Sequence, residues 1–485
     1  MYTQTKYYPM YVAGKRTAGE SDACMEAVSP ATGEVIGTVP EGTREDARRA
    51  IAAAGEAWPA WAARSAFERA AAMERIAGII EERRDDLAQT LTLDQGKPLK
   101  AEAYDEVDEL IEYFRMASAD ATRLGGLMPP SVDAEKRVFI YRVPRGVVGV
   151  ITPWNWPYTM AAEAIAPALA SGNAVVWTPA SSTSICSVKL AECIIDAGLP
   201  AGIFNLITGR GSVVGDEVVS NPSTQAVAFI GSVETGNRVS QRAAGKALLL
   251  EMGGNGPMVI LDDANLDDAA EASLTSAFLG AGQSCTAGER FLVQEGVHDA
   301  FIEKLTAAMT REIRLGDPFA PETTLGPLNN ESTAQKMDLH VSDALERGAQ
   351  LVAGGTRADG FPTRLYYQPT VLDAVDDEMQ VSREETFGPI VPVTTIRDET
   401  EALRVVNSSP YGLLSAVWTR DLARGLRFAE AVRTGWVNIN ASSNHWESHL
   451  PFGGRAGSQS GMGRVGGRYP MDTFTELKTV VVNLE

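Results

Sequence analysis

The chain has 485 residues, 44% hydrophobic and 22% charged, an ordinary globular composition that excludes bulk disorder and points to two large domains. Its 63 acidic residues against 43 basic ones leave a net charge of −20, which repels phosphate backbones and anionic lipid surfaces. Neither nucleic acid nor a membrane is therefore expected as a partner, and the four cysteines and four histidines are too few and scattered for a disulfide framework or a metal centre.

The start of the chain, Met1 to Met10, is polar and aromatic, without an apolar signal core. No stretch is long and apolar enough to span a bilayer, so the expected location is the cytoplasm. Residues 43–118 read as helices. Thr43 to Asp46 and Ser65 to Glu68 both have the capping-box pattern, each ahead of an Ala-rich run with apolar residues at helical spacing. Gly96 and Pro98 mark a turn, and Gly125, Gly126, Pro129 and Pro130 break the chain.

Residues 137–143 and 146–151 read as strands. Strands over 174–177, 203–207 and 226–230 then alternate with helices, one of them around 183–197. This alternation predicts an α/β fold with a doubly wound parallel sheet, and a second alternating block runs from about 257 to 440. The valine-rich segment Thr479 to Leu484 is a predicted edge strand. Such an apolar edge seeks a partner, so a homo-oligomer, dimer or tetramer, is expected.

Four motifs carry chemistry. Gly231 to Gly236 follows the strand ending at Ile230 and opens a helix, whose free N–H groups and dipole suit a pyrophosphate. Cys285 sits among small residues, Ala281 to Gly288, where a substrate can approach its sulfur. Glu251 ends an apolar strand before Gly253 and Gly254; desolvation there raises its pKa and suits general-base work. Asn155 lies between two tryptophans and two prolines, Pro153 to Pro157, which hold its amide as a rigid oxyanion donor. Each has a plainer alternative: an ordinary strand-to-helix turn, a buried filler cysteine, a solvated glutamate, an aromatic turn packed in the core.

Together these motifs resemble the aldehyde dehydrogenase superfamily, and its lactaldehyde and succinate-semialdehyde branches most. The asparagine motif is matched by Pro153 to Pro157, the glycine turn by Phe229 to Gly236, the glutamate motif by Leu250 to Gly254 and the cysteine motif by Gly282 to Arg290. Glu385 to Pro389 is similar to the ribose-binding loop, and Pro451 to Gly454 to a C-terminal motif. The resemblance runs from about residue 8 to the end. It implies two doubly wound α/β domains and a small β element for oligomerisation. A cofactor domain would take residues 1–125 and 146–252, a catalytic domain 253–440, and the oligomerisation element 126–145 and 468–485.

It also implies roles. Cys285 attacks the aldehyde, Asn155 holds the oxyanion and Glu251 activates water. NAD or NADP would be bound by Ile151, Thr152, Pro153, Trp154, Phe229, Gly231, Ser232, Gly253, Glu385 and Phe387. Thr178 and Ser181 stand where members of the family often carry a lysine and, in NAD-preferring members, a glutamate; their loss predicts loose discrimination between the two cofactors. No metal is implied.

The substrate is expected to be a small polar or anionic aldehyde of lactaldehyde or sulfolactaldehyde type, contacted by Arg123, Trp446 and His449. Succinate semialdehyde is the alternative, although the family's two carboxylate-binding arginines are replaced by Glu163 and Leu279. The stretch Arg455 to Gly461, longer than usual, is expected near the substrate entrance. A coenzyme A-acylating enzyme or a non-catalytic binding protein would normally lack Glu251 or Cys285, and both are present.

Overall fold

The protein is described from a computed structural model covering residues 6–484; residues 1–5 of the polar N-terminus and residue 485 lie outside the described residues. The helical stretch begins as expected. Thr43 and Ser65 cap the helices Arg44–Ala62 and Ala66–Glu82, each with a complete capping box. Gly96, at φ 99°, ends the helix Arg84–Gln95 in a left-handed turn. A short π-helical turn, Leu99–Ala103, leads into Tyr104–Ala121.

The first sheet has eight strands. Its parallel centre is Val147–Thr152, Ala174–Pro179, Phe204–Leu206, Ala226–Gly231 and Ala247–Met252. The N-terminal hairpin Met10–Val12 and Lys15–Thr17 closes one edge, and Gly461–Met462 closes the other by pairing antiparallel with Leu250 and Glu251. The central strands are buried on both faces, which explains their unbroken apolar runs. A second, seven-stranded sheet is built from Gly256–Ile260, Gly288–Gln294 and five later strands, ending with Trp436–Ile439.

Lys136–Pro144 and Thr475–Asn483 form a separate antiparallel ribbon over nine residue pairs. The C-terminal strand thus starts four residues before the predicted Thr479, because the mainly polar residues Thr475, Glu476, Leu477 and Lys478 pair with Pro144 to Tyr141. Phe139, Tyr141, Leu477 and Val481 are exposed on this ribbon. Among the described residues, no helix is long and apolar enough to cross a membrane.

Candidate active site

The first sheet brings the C-terminal ends of its parallel strands to a seam, where open α/β sheets place their ligands, and the second sheet meets it with the N-terminal ends of strands such as Gly256–Ile260 and Gly288–Gln294. Glu251 lies at the end of one first-sheet strand, and the loop after Thr152 carries Asn155. Cys285 lies on the segment that enters the second-sheet strand Gly288–Gln294. Two cavities meet there, of 460 and 360 Å³, and Met160, Glu251 and Cys285 form the wall they share.

The approach to Cys285 is a left-handed turn. Gly280, Ala281 and Gly282 have φ of 62°, 56° and 72°. For Ala281 this costs about 1–3 kcal/mol, so the surroundings must hold it. The Gly280 N–H donates to both carboxylate oxygens of Glu102 at 3.1 Å. Gln283 donates through Nε2 to the Gly280 carbonyl at 2.8 Å and accepts from the Asn329 N–H at 2.9 Å. Any Cβ at Gly282 would stand 2.2 Å from the Gly388 carbonyl oxygen. The sulfur is thereby aimed at the seam. Cys186 and Cys193 are buried in the helix Ser184–Asp196, and Cys24 is exposed far from it.

The Asn155 side chain is 2% exposed, and its Nδ2 donates to the Gln283 carbonyl at 2.9 Å. One amide proton is used there and a second remains. Glu251 is 4% exposed, and its Oε1 has no hydrogen-bond partner. Burial pushes its carboxyl up to about 8. Burial, and then the nearby carboxylates led by Glu251, pushes the Cys285 thiol well up.

The smaller cavity gathers most of the residues expected to hold a cofactor: Pro153, Trp154, Gly231, Ser232, Gly253, Glu385 and Phe387. The helix Val233–Arg242 starts at its edge, capped by Ser232, whose side chain accepts from the Thr235 N–H. Glu385 accepts from the Gly254 N–H at 2.9 Å, and a Cβ at Gly253 would stand 2.7 Å from its carboxylate. Trp154 meets Phe387 edge-on at 5.6 Å. A helix N-terminus, an oriented carboxylate and flat apolar walls fit a dinucleotide.

Ile151, Thr152, Thr178, Ser181 and Phe229 do not line this cavity. The Phe229 ring lies in the apolar core, and the buried Thr152 hydroxyl accepts from the Trp177 indole at 2.9 Å. Thr178 is buried and Ser181 exposed. Two groups went unnoticed in the sequence. Lys336 lines the cavity and attracts Glu385. Buried Glu289 accepts from the backbone N–H groups of Thr386 and Phe387 at 2.9 and 2.6 Å, holding Phe387 at φ 59°. Glu289 and Arg290 standing directly before the apolar run Phe291 to Val293 were the available signal for it.

The larger cavity opens on the other side of Cys285, and Trp446 lines it as expected, 6.2 Å from Tyr113 and 5.7 Å from Phe452. Glu163 and Leu279 line it too. Arg123 and His449 do not. The Arg123 side chain, 70% exposed, lies beyond the end of the helix Tyr104–Ala121 and faces Asp120. His449 is 59% exposed and stands 3.7 Å from Glu447. Both side chains therefore point to solvent, the ordinary place for charged groups. The stretch Arg455 to Gly461 lines neither cavity. Its Ser460 hydroxyl donates to the Gly253 carbonyl at 2.8 Å and accepts from the Gly412 N–H, so it braces the end of the Glu251 strand.

Doubly wound sheets, with a thiol and a buried carboxyl where two cavities meet, define an α/β enzyme of covalent thiol chemistry. The chain belongs to the aldehyde dehydrogenase family, whose model matches residues 17–480, and is an oxidoreductase acting on aldehydes. It is similar to the NADP-dependent succinate-semialdehyde dehydrogenase of Escherichia coli, 38% identical over 475 residues, covering 98% of this chain and 97% of the relative. It is 37% identical over 473 residues to a 3-sulfolactaldehyde dehydrogenase of Pseudomonas putida, covering 97% and 96% of the two chains. The crystal structure of a succinate-semialdehyde dehydrogenase from Burkholderia pseudomallei superposes with a TM-score of 0.95 at 38% identity, covering 98% of each chain.

Proposed function

We propose that the protein oxidises a small aldehyde to its carboxylic acid through a thiohemiacetal and then a thioester on Cys285, with NAD or NADP as acceptor. The observation that carries this reading is the meeting of two cavities at one thiol, with a buried carboxyl in the shared wall. The aldehyde takes the larger cavity. Cys285 loses its proton and its sulfur attacks the carbonyl carbon. That proton leaves to solvent through the cavity, which keeps Glu251 free for the later step. The free amide proton of Asn155 and the Cys285 backbone N–H hold the oxygen that gains charge.

The cofactor, bound in the smaller cavity, supplies the hydride acceptor. Pro153, Trp154 and Phe387 would flank it, Ser232 and the helix start would hold its phosphates, and Glu385 would hold ribose hydroxyls. Neither Thr178 nor Ser181 carries a charge that would select for or against a 2′-phosphate, which supports use of both cofactors. Once the thioester has formed, Glu251, raised to about 8, deprotonates water, water attacks the acyl carbon, and the acid leaves as the proton passes from Glu251 to the Cys285 sulfur. A base in the wall favours water over coenzyme A as acyl acceptor. We also propose a cytoplasmic setting, where Cys285 stays reduced, and a homo-oligomer built on the exposed apolar face of the ribbon.

The relatives named for succinate semialdehyde and sulfolactaldehyde support a small aldehyde. The anionic tail expected from Arg123 and His449 loses its support, because both lie outside the cavity. The experiment is an aldehyde panel run with each cofactor, with and without coenzyme A. Reduced cofactor and free acid formed without coenzyme A support the reading; a strict requirement for coenzyme A refutes it.

A further inference from the structure

We propose that the aldehyde this cavity selects carries a positive charge on its far end, an alkylammonium aldehyde held by carboxylates and aromatic faces. The inference rests on reading the larger cavity as the aldehyde site. One face of the helix Tyr104–Ala121 presents Asp105, Glu109 and Glu112 to it, spaced four and three residues apart. Asp108 joins them. Glu163 faces them from the helix Thr159–Ala170. Like charges stacked along one helical face repel one another, so the row costs stability unless a cation comes between its members.

The wall holds one cation, and it is engaged. Lys97 has its ammonium 2.5 Å from Glu106 and 3.4 Å over the ring of Trp156, with the side chain 1% exposed. Asp108 is paired with Arg84. Among the described residues, Asp105, Glu109, Glu112 and Glu163 have no ion-pair partner. Glu163 is 5% exposed; one of its oxygens accepts from the Tyr113 hydroxyl at 3.1 Å, and the other has no hydrogen-bond partner. Glu163 lines the cavity, so its open oxygen is left to whatever fills it.

Two further observations say what that occupant is. Among the described residues, no three such groups converge as metal ligands, so the acids do not form a cation cage for a metal. The remaining wall is aromatic, with Trp156, Trp446 and Phe452, and ring faces attract organic ammonium groups. Lys97 on Trp156 is the same contact made within the chain. Asp105, Asp108 and Glu112 are exposed at the mouth while Glu163 is buried within. Burial and then Glu109 push the Glu163 carboxyl well up, an effect a bound cation reverses; the charge at the mouth draws that cation inward, tail against Glu163 and carbonyl toward Cys285.

The test compares kcat/KM for 4-(trimethylammonio)butanal, its uncharged isostere 5,5-dimethylhexanal, and the anionic 4-oxobutanoate. The cation should exceed the isostere by about tenfold or more, and the isostere should exceed the anion. Glu163→Gln and, at the exposed mouth, Glu112→Gln should each shrink the ratio of cation to isostere. Added salt should lower kcat/KM for the cation more than for the isostere. Equal efficiency for cation and isostere, or preference for the anion, overturns the proposal. A ratio unchanged in both variants overturns its assignment to these carboxylates. Failure to oxidise any of the three overturns the proposed function as well, whereas turnover of the isostere without cation preference leaves that function standing.

Discussion

The amide of Asn155 donates its 2.9 Å hydrogen bond to the carbonyl of Gln283, two residues before the nucleophile. The contact joins the loop after a first-sheet strand to the segment that enters a second-sheet strand. It fixes the donor relative to the sulfur across the seam. Asn155→Ala should lower kcat by about 10²–10³-fold, the usual cost of losing one oxyanion donor. Asn155→Asp, which keeps the shape but removes the N–H, should lose as much. Steady-state kinetics on both variants check this, and an unimpaired Ala variant would remove Asn155 from the mechanism.

Cys285→Ser should abolish oxidation while cofactor binding, measured by fluorescence titration, stays near wild type. A serine hydroxyl is a far weaker nucleophile than a thiolate near neutral pH. Ser at Cys24 should be kinetically silent, because that residue is exposed far from the cavities.

Gly282→Ala should destabilise the fold and disable the site together. The residue has φ 72°, and a Cβ would stand 2.2 Å from the Gly388 carbonyl oxygen. A loss of about 1–3 kcal/mol is expected from the backbone conformation alone. Chemical denaturation measures it. A variant as stable and active as wild type would show that the turn relaxes freely.

Arg123→Ala should leave kcat/KM unchanged for anionic, neutral and cationic aldehydes alike. Its side chain is 70% exposed and faces Asp120 rather than the cavity. A selective loss with charged aldehydes would return Arg123 to the substrate site.

Much of this architecture was legible in the chain. The capping boxes at Thr43 and Ser65, the apolar strands around residues 150, 176 and 228, and the motifs of Asn155, Glu251 and Cys285 are local patterns. Local patterns are what sequence spacing records. The misplaced residues failed for a different reason. Arg123 and His449 looked like substrate contacts because the first ends a helix that borders the substrate tunnel in the family and the second lies two residues before Pro451, but neither fact says which way a side chain points. The acidic lining was overlooked because Asp105, Glu109 and Glu112 look like an ordinary solvated helix face. Only the packing of that helix against Thr159–Ala170 puts the row beside Glu163. Ser460 was equally hidden, since its contact with Gly253 spans 207 residues.

The pH dependence of turnover tests the state of Glu251. Burial raises its carboxyl to about 8, so the basic form is scarce at pH 6 and grows as pH rises through 8. Turnover limited by hydrolysis should climb over that range and flatten above it. A profile already flat from pH 6 would mean that Glu251 is ionised throughout and not held as described.

The central claim is that acyl transfer to Cys285 and hydrolysis by Glu251 are separate steps, and the Glu251→Gln variant tests it most directly. The variant is mixed with aldehyde and oxidised cofactor, reduced cofactor is followed by absorbance, and the quenched protein is mapped by mass spectrometry. The account requires one equivalent of reduced cofactor per site, then a stall, with the acyl group on the peptide that contains Cys285. Continued turnover at the wild-type rate, with no adduct on that peptide, would contradict it.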